Sequence, residues 1–194
     1  MSEVPVFNGS DGSSASQLFD DGFDVLDACH RRILFAVGKL SALVTRLSTF
    51  GADAEARSLS AELLDFFSST VRQHHEDEER HVFPRLATDG DEETVQAVLR
   101  LQQDHDWLEE DWMALSPHLA AIAAGQTWCE LEVLREGTAV FSALLHDHIA
   151  LEESLIYPQA RDWLQRPQRH AMGREMAARR RAGLGRTGAL QSPP

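Results

Sequence analysis

The chain lacks most of what familiar sites and scaffolds are built from. It has two cysteines, Cys29 and Cys129, in 194 residues. That is too few for a disulfide framework, and neither shows C-x-x-C or finger spacing, which excludes a structural zinc site of that kind. Both read as reduced, partly buried small residues. No run approaches the ~20 apolar residues that span a bilayer. Met1-Ser2-Glu3-Val4-Pro5 lacks the cationic and apolar regions of a secretory signal, so a cytoplasmic location is expected. There is no G-x-x-x-x-G-K-[ST], which leaves no P-loop motif for a nucleotide. Alternating apolar and polar runs are missing and β-branched residues are sparse, which argues against a sheet. Positive charge is also scarce. Lys and Arg number 18 against 31 Asp and Glu, a net charge of -13, which disfavours nonspecific nucleic-acid binding. The exception is the C-terminal end, where seven Arg and one Glu follow from position 166 onward. This reads as a solvated helix end and a disordered basic tail.

What the chain does have is helical period. Phe23, Leu26, His30, Ile33, Val37, Leu40, Val44 and Leu47 step by threes and fours, an apolar stripe over four heptads. Gly51 closes that helix and Asp53 is the expected N-cap of the next. The second carries Leu59, Leu63, Phe67, Val71, His74 and Glu78 and is expected to stop near Pro84. Asp89-Gly90-Asp91 is a turn. The third stripe is Val98, Leu101, His105, Leu108, Trp112, Leu115, Leu119 and Ile122. Pro117 interrupts it as a point of kinking, and Gly125 ends it. The fourth helix is expected to start at Thr127 and to carry Leu134, Phe141, Leu145, His148, Glu152 and Leu155, with Pro158 bending or ending it. A short fifth helix is expected from Gln168 to Ala182. The reading is all-α, an up-down-up-down four-helix bundle. Residues 1–16, rich in Ser, Gly and Asp, read as disordered, 17–166 as the bundle, and 167–194 as the short helix and basic tail.

The chemistry lies in an internal repeat. His74-x-x-x-Glu78 precedes Phe83-Pro84, and 74 residues later His148-x-x-x-Glu152 precedes Tyr157-Pro158. His30 and His105, 75 residues apart, precede the two segments. An i, i+4 pair on a helix shares one face. Depth agrees as well. His30 and His74 each lie about 20 residues from the Gly51 turn, which is ~30 Å of helix on both arms. His105 and His148 flank Gly125 in the same way, so four imidazoles meet in one layer and pseudo-twofold symmetry follows. Buried imidazoles need partners. Four imidazoles with two carboxylates suit a pair of transition-metal ions, and iron is favoured in a helical bundle. The carboxylates sit where they can bridge two cations and offset their repulsion.

Other polar residues are weaker candidates. His81, seven after His74, is a candidate ligand or gate. Glu109, four after His105, is a candidate further ligand or a solvated residue. His75 should point about 100° from His74 and lie beside the centre or at an interface. Glu79 and Glu153 are placed to accept N–H groups of ligand histidines. His146 should face elsewhere, and His118 and His170 read as exposed. Tyr157 has no supported role at this point.

The segments Cys29-His30-Arg31-Arg32-Ile33, His74-His75-Glu76-Asp77-Glu78-Glu79, Phe83-Pro84-Arg85-Leu86, His105, and His148-Ile149-Ala150-Leu151-Glu152-Glu153 through Pro158 resemble the bacterial hemerythrin-like (His-His-Glu, HHE) cation-binding domain family. The resemblance covers roughly residues 18 to 182. It implies two non-haem iron ions, oxo- or carboxylate-bridged, with His30, His74, His105 and His148 as terminal ligands and Glu78 and Glu152 as bridges. The chain departs from the oxygen carriers of that family. Their third helix has H-x-x-x-H where this one has His105 and Glu109, and their last carboxylate is an Asp five residues after its His. An imidazole fewer opens a coordination position. Three readings follow: a di-iron protein that binds or reduces O2, peroxide or nitric oxide; an iron, oxygen or redox sensor without turnover; or a metal-free or zinc-bound structural bundle. A small diatomic or peroxide ligand is the expected partner, without nucleic acid or membrane.

Overall fold

The structure, a computed structural model, describes residues 21–126 and 130–189. The N-terminal segment 1–16, Thr127, Cys129 and the last five residues lie outside the described residues. Eight α-helices are described: α1 Gly22–Phe50, α2 Ala54–Asp65, α3 Arg72–His81, α4 Phe83–Asp89, α5 Glu92–Ala123, α6 Leu131–Leu151, α7 Tyr157–Trp163 and α8 Arg166–Ala189. Two turns with wider π-type hydrogen bonding, Phe66–Val71 and Glu152–Ile156, join α2 to α3 and α6 to α7. No strand occurs among the described residues.

The larger of two compact units, Leu26–Gln165, contains four antiparallel rods: α1, α2 through α4, α5, and α6 through α7. Side-chain register shows the direction. Arg46 pairs with Asp53 at 2.5 Å, Lys39 with Glu62 at 2.6 Å, and Arg32 lies over Phe66, so α1 descends as α2 ascends. Trp112 donates to Ser68 at 3.0 Å while His105 meets Glu79, which reverses α5 against the second rod. Trp112 meets Phe141 while His105 meets His148, and Asp27 meets Arg161 while His30 meets Glu153, which closes the ring. Ile33, Val37, Leu40, Leu63, Phe67, Leu108, Leu115, Leu119, Phe141 and Leu145 are buried in the core of this unit.

Turn chemistry follows the sequence at most junctions. Gly51 and Gly125 have φ of +69° and +74°, the left-handed conformation that ends helices at little cost for glycine. Asp53 caps α2 through Ala56 N–H at 2.8 Å, and Asp91 caps α5 through Thr94 N–H at 2.8 Å. Two expectations change. Pro84 does not stop the second rod: it sits in the first turn of α4, and Pro158 likewise in that of α7, where the missing N–H has no intrahelical partner to lose. Pro117 lies inside α5, which runs on to Ala123.

The smaller unit joins the start of α1 to α8. Within it, Arg169 pairs with Asp21 at 3.2 Å, and a Cβ on Gly22 would fall 2.4 Å from Met172 Cγ. At 24 residues, α8 is not the short helix expected, and it runs through positions assigned to a disordered tail. Ala177-Ala178-Arg179-Arg180-Arg181 are strong helix formers. A further revision concerns α1. It is the one helix among the described residues with the length and apolar composition to cross a membrane. Its stripe of Ile33, Val37, Leu40 and Leu43 is buried, while Lys39 and Arg46 form ion pairs, the pattern of an amphipathic core helix.

Candidate metal centre

The four rods deliver their polar seam residues to one place. His30 comes from α1, His74 and Glu78 from α3, His105 from α5, His148 from α6, and Glu152 opens the π-type turn after it. All six are buried, none more than 5% exposed. Glu78 reaches His74 Nε2 with Oε1 at 3.3 Å and His105 Nε2 with Oε2 at 3.5 Å. Glu152 reaches His30 Nε2 with Oε2 at 3.2 Å and His148 Nε2 with Oε1 at 3.3 Å. Two groups result, His30–His74–Glu78–Glu152 and His105–His148–Glu78–Glu152. Within each, one ligand atom per residue lies within 4.8 Å of the others. Each carboxylate belongs to both groups and turns one oxygen to an imidazole of each.

The outer ring nitrogens are held from behind. Glu153 Oε1 lies 3.0 Å from His30 Nδ1 and Glu79 Oε1 lies 2.8 Å from His105 Nδ1. The 74-residue repeat anticipated both. Accepting an Nδ1–H fixes the tautomer and turns Nε2 inward. Asp104 Oδ2 stands 3.7 Å from His148 Nδ1, a residue that sequence reasoning missed. Its spacing of three after Leu101 and four before Leu108 was the available signal. Tyr157 was also missed. Its hydroxyl donates to Glu78 Oε1 and lies 3.1 Å from His30 Nε2. Its ring stacks on His30 at 5.1 Å, as its repeat counterpart Phe83 stacks on His105 at 5.5 Å. The two halves share an aromatic cover, and only one carries a hydroxyl.

The donor set fits a metal. Buried polar atoms nearly always have partners. Here Nε2 of His74, of His105 and of His148, Glu78 Oε2 and both oxygens of Glu152 are buried without a hydrogen-bond partner. Six such atoms lie in one cluster, at the place where cations would satisfy them. Imidazole and carboxylate ligands suit Fe, Mn or Zn.

Electrostatics without metal shows what protons do instead. Burial works against a charged His30, but the Glu152 and Glu78 carboxylates beside its Nε2 outweigh it and raise the group from 6.5 to about 10. Burial likewise opposes charge on His148, and Glu152 and Asp104 raise it to about 10. Burial lowers His74 to about 4. Burial disfavours the Glu78 carboxylate, yet His74, His105 and His30 hold it well below the usual range. Burial is thus outweighed at His30, His148 and His105, whose charged forms are favoured by the carboxylates they face. A raised histidine stabilises fully below its unfolded value of 6.5 and loses that contribution as pH rises through about 10. The metal-free protein is therefore expected to melt at least roughly 10 °C lower at pH 10 than at pH 7, because His30 and His148 each lose most of that contribution, at ~1.4 kcal/mol per pKa unit and ~2–4 °C per kcal/mol for this chain length. Thermal melts in chelator followed by circular dichroism measure it, and a flat profile over that range counts against the ion pairs.

The remaining candidates fall outside the two groups. Glu109 is exposed on the wall of a groove and joins neither group. His81 is half-buried beside Val82, Arg85 and Trp163, since α3 ends at that residue and the chain turns into α4. His118 and His170 are half-buried rather than exposed. His75 is closer to the centre than expected and stacks on His105 at 3.9 Å. Two openings approach the cluster. One is a groove of about 440 Å³ lined by Phe67, His75, Glu79, His105, Trp112 and Phe141. The other is a cavity of about 480 Å³ lined by Asp27, Arg31, Glu153, Tyr157, Pro158 and Arg161.

Comparison with known proteins agrees with this geometry. Residues 21–160 match the hemerythrin HHE cation-binding domain. An uncharacterized protein of Haemophilus influenzae is 28% identical over 162 residues, covering 84% of this chain and 91% of that protein.

Proposed function

Because the chain belongs to the hemerythrin HHE cation-binding domain family, we propose that its centre holds two non-haem iron ions and binds or reacts with O2, peroxide or nitric oxide. The observation that carries this reading is the crosswise sharing of Glu78 and Glu152 between two imidazole pairs. Bound iron would supply a redox-active Lewis acid to which a diatomic or peroxide coordinates. His30, His74, His105 and His148 would hold the ions and the two carboxylates would bridge them.

The chain's own groups do the rest. Glu153 and Glu79 keep the Nδ1 protons of His30 and His105 in place. Tyr157 keeps its proton, because burial and then the charges of Glu78 and Glu152 push its phenol well above 10. A phenol that keeps its proton can hold Glu78 by its hydrogen bond and offer the same donor to a ligand arriving beside His30. The flanking aromatic rings limit water at the cluster, which strengthens these interactions. The same reading places the protein in the cytoplasm, where a buried free thiol such as Cys29 stays reduced.

One observation favours a second reading, an iron, oxygen or redox sensor without turnover. The ligands come from all four rods, so occupancy is coupled to the stability of the whole bundle. The purified protein should contain close to two iron per chain and show near-ultraviolet absorption that responds to peroxide, azide and reductant. Rapid peroxide loss that disappears in His74→Ala supports the reactive reading. Metal-dependent melting without turnover supports the sensor. Less than one iron per chain after anaerobic loading overturns both.

A further inference from the structure

We propose that His75 is a third imidazole ligand for the ion on the His105–His148 side, an assignment that rests on the di-metal reading above. Helix α3 carries two i, i+4 pairs side by side. His74–Glu78 points into the cluster. His75–Glu79, turned about 100° around the helix, points toward α5. There Glu79 takes His105 Nδ1, and the His75 ring lies on the His105 ring at 3.9 Å with 11° between planes. His75, His105 and His148 each offer one ring nitrogen, and these three atoms lie within 4.8 Å of one another. Nε2 of all three is buried without a hydrogen-bond partner. A buried ring nitrogen left unpaired is costly, and three on one spot have a common remedy in one cation.

The internal repeat makes the assignment asymmetric. Seventy-four residues after His75 stands Ile149, a buried hydrocarbon on α6. The His30–His74 side therefore receives no matching imidazole. It has the Tyr157 hydroxyl instead, beside Glu78 and His30. With His75 engaged, one ion has three imidazoles and the other two, and the His30 side is the less fully ligated.

The test compares the full-length wild-type protein with His75→Phe and His75→Ala after anaerobic loading with iron-57. Phenylalanine keeps a flat ring against His105 and removes the nitrogen. Iron per chain and the Mössbauer spectrum are read, neither of which depends on turnover. The wild type is expected to hold two iron ions with two distinct quadrupole doublets. Both variants are expected to bind one ion at least tenfold more weakly and to lose or shift one doublet. A His75→Phe protein with two iron ions and the wild-type doublets overturns the proposal and leaves the di-metal reading standing. A wild type that binds fewer than two ions overturns both. Should neither variant fold, the dicobalt wild type decides: hyperfine-shifted proton signals from five imidazoles support His75 as a ligand, and signals from four overturn it.

Discussion

The iron-loaded protein is expected to melt about 10 °C above the metal-free protein at pH 7. The cluster explains why so large a shift is expected. Four imidazoles and two carboxylates, all buried, converge from four rods, and several of their polar atoms have no protein partner. Each such atom costs ~1–3 kcal/mol when unsatisfied. A ligand that binds only the folded state at a thousandfold excess over its Kd contributes ~4 kcal/mol, and a chain of this size gains ~2–4 °C per kcal/mol. Scanning calorimetry before chelation, after chelation and after iron is restored measures the shift. The gap should widen above pH 9, because the metal-free state then loses the imidazolium groups on His30 and His148 that balance Glu78 and Glu152, while the loaded state does not use them. A shift below about 2 °C would mean that protons alone satisfy the cluster.

The architecture and the cluster were legible because both rest on periodicity. Apolar stripes at three- and four-residue steps define each rod, and equal arm lengths around Gly51 and Gly125 place four histidines at one depth. What escaped belongs to contacts between rods. A one-residue step from His74 turns His75 by about 100°, and viewing the helix alone sends it away from the centre. In the bundle a neighbour, α5, occupies that side and brings His105 onto its ring. Asp104 and Tyr157 escaped for a related reason. Each meets a histidine of another rod, His148 or His30, and no spacing within one segment encodes that distance. The prolines were misjudged because Pro84 and Pro158 share a residue type with helix breakers but occupy the first helical turn, where proline is tolerated. The π-type turns are local adjustments of hydrogen bonding around Phe66–Val71 and Glu152–Ile156, and nothing in the composition of those segments announces them. They do not fall at equivalent positions of the repeat, so the two halves agree in ligands and differ in backbone.

Replacing Glu78 with Gln is expected to bring the protein below one iron per chain, a larger loss than removal of any single histidine. The amide nearly matches the carboxylate in volume and leaves the core packed, so the change removes charge and bridging capacity. Two unit charges about 4 Å apart repel by ~4 kcal/mol at an effective dielectric of 20, and doubly charged ions by four times as much. Shared anionic oxygens offset that repulsion. Glu78 turns one oxygen to each imidazole pair, so its loss weakens both ions and leaves Glu152 as the single bridge. His148 belongs to the second group and not to the first, and His148→Ala is expected to keep about one ion. Glu79 touches only the outer nitrogen of His105, and Glu79→Ala is expected to weaken one ion by about 10- to 100-fold while both still bind at high iron. Metal analysis after gel filtration, with helicity checked on the same samples, gives the order of the three variants. Two iron ions retained by Glu78→Gln would remove this residue from the bridge. A Glu79→Ala protein as depleted as Glu78→Gln would shift the weight from shared carboxylates to the tautomer of His105.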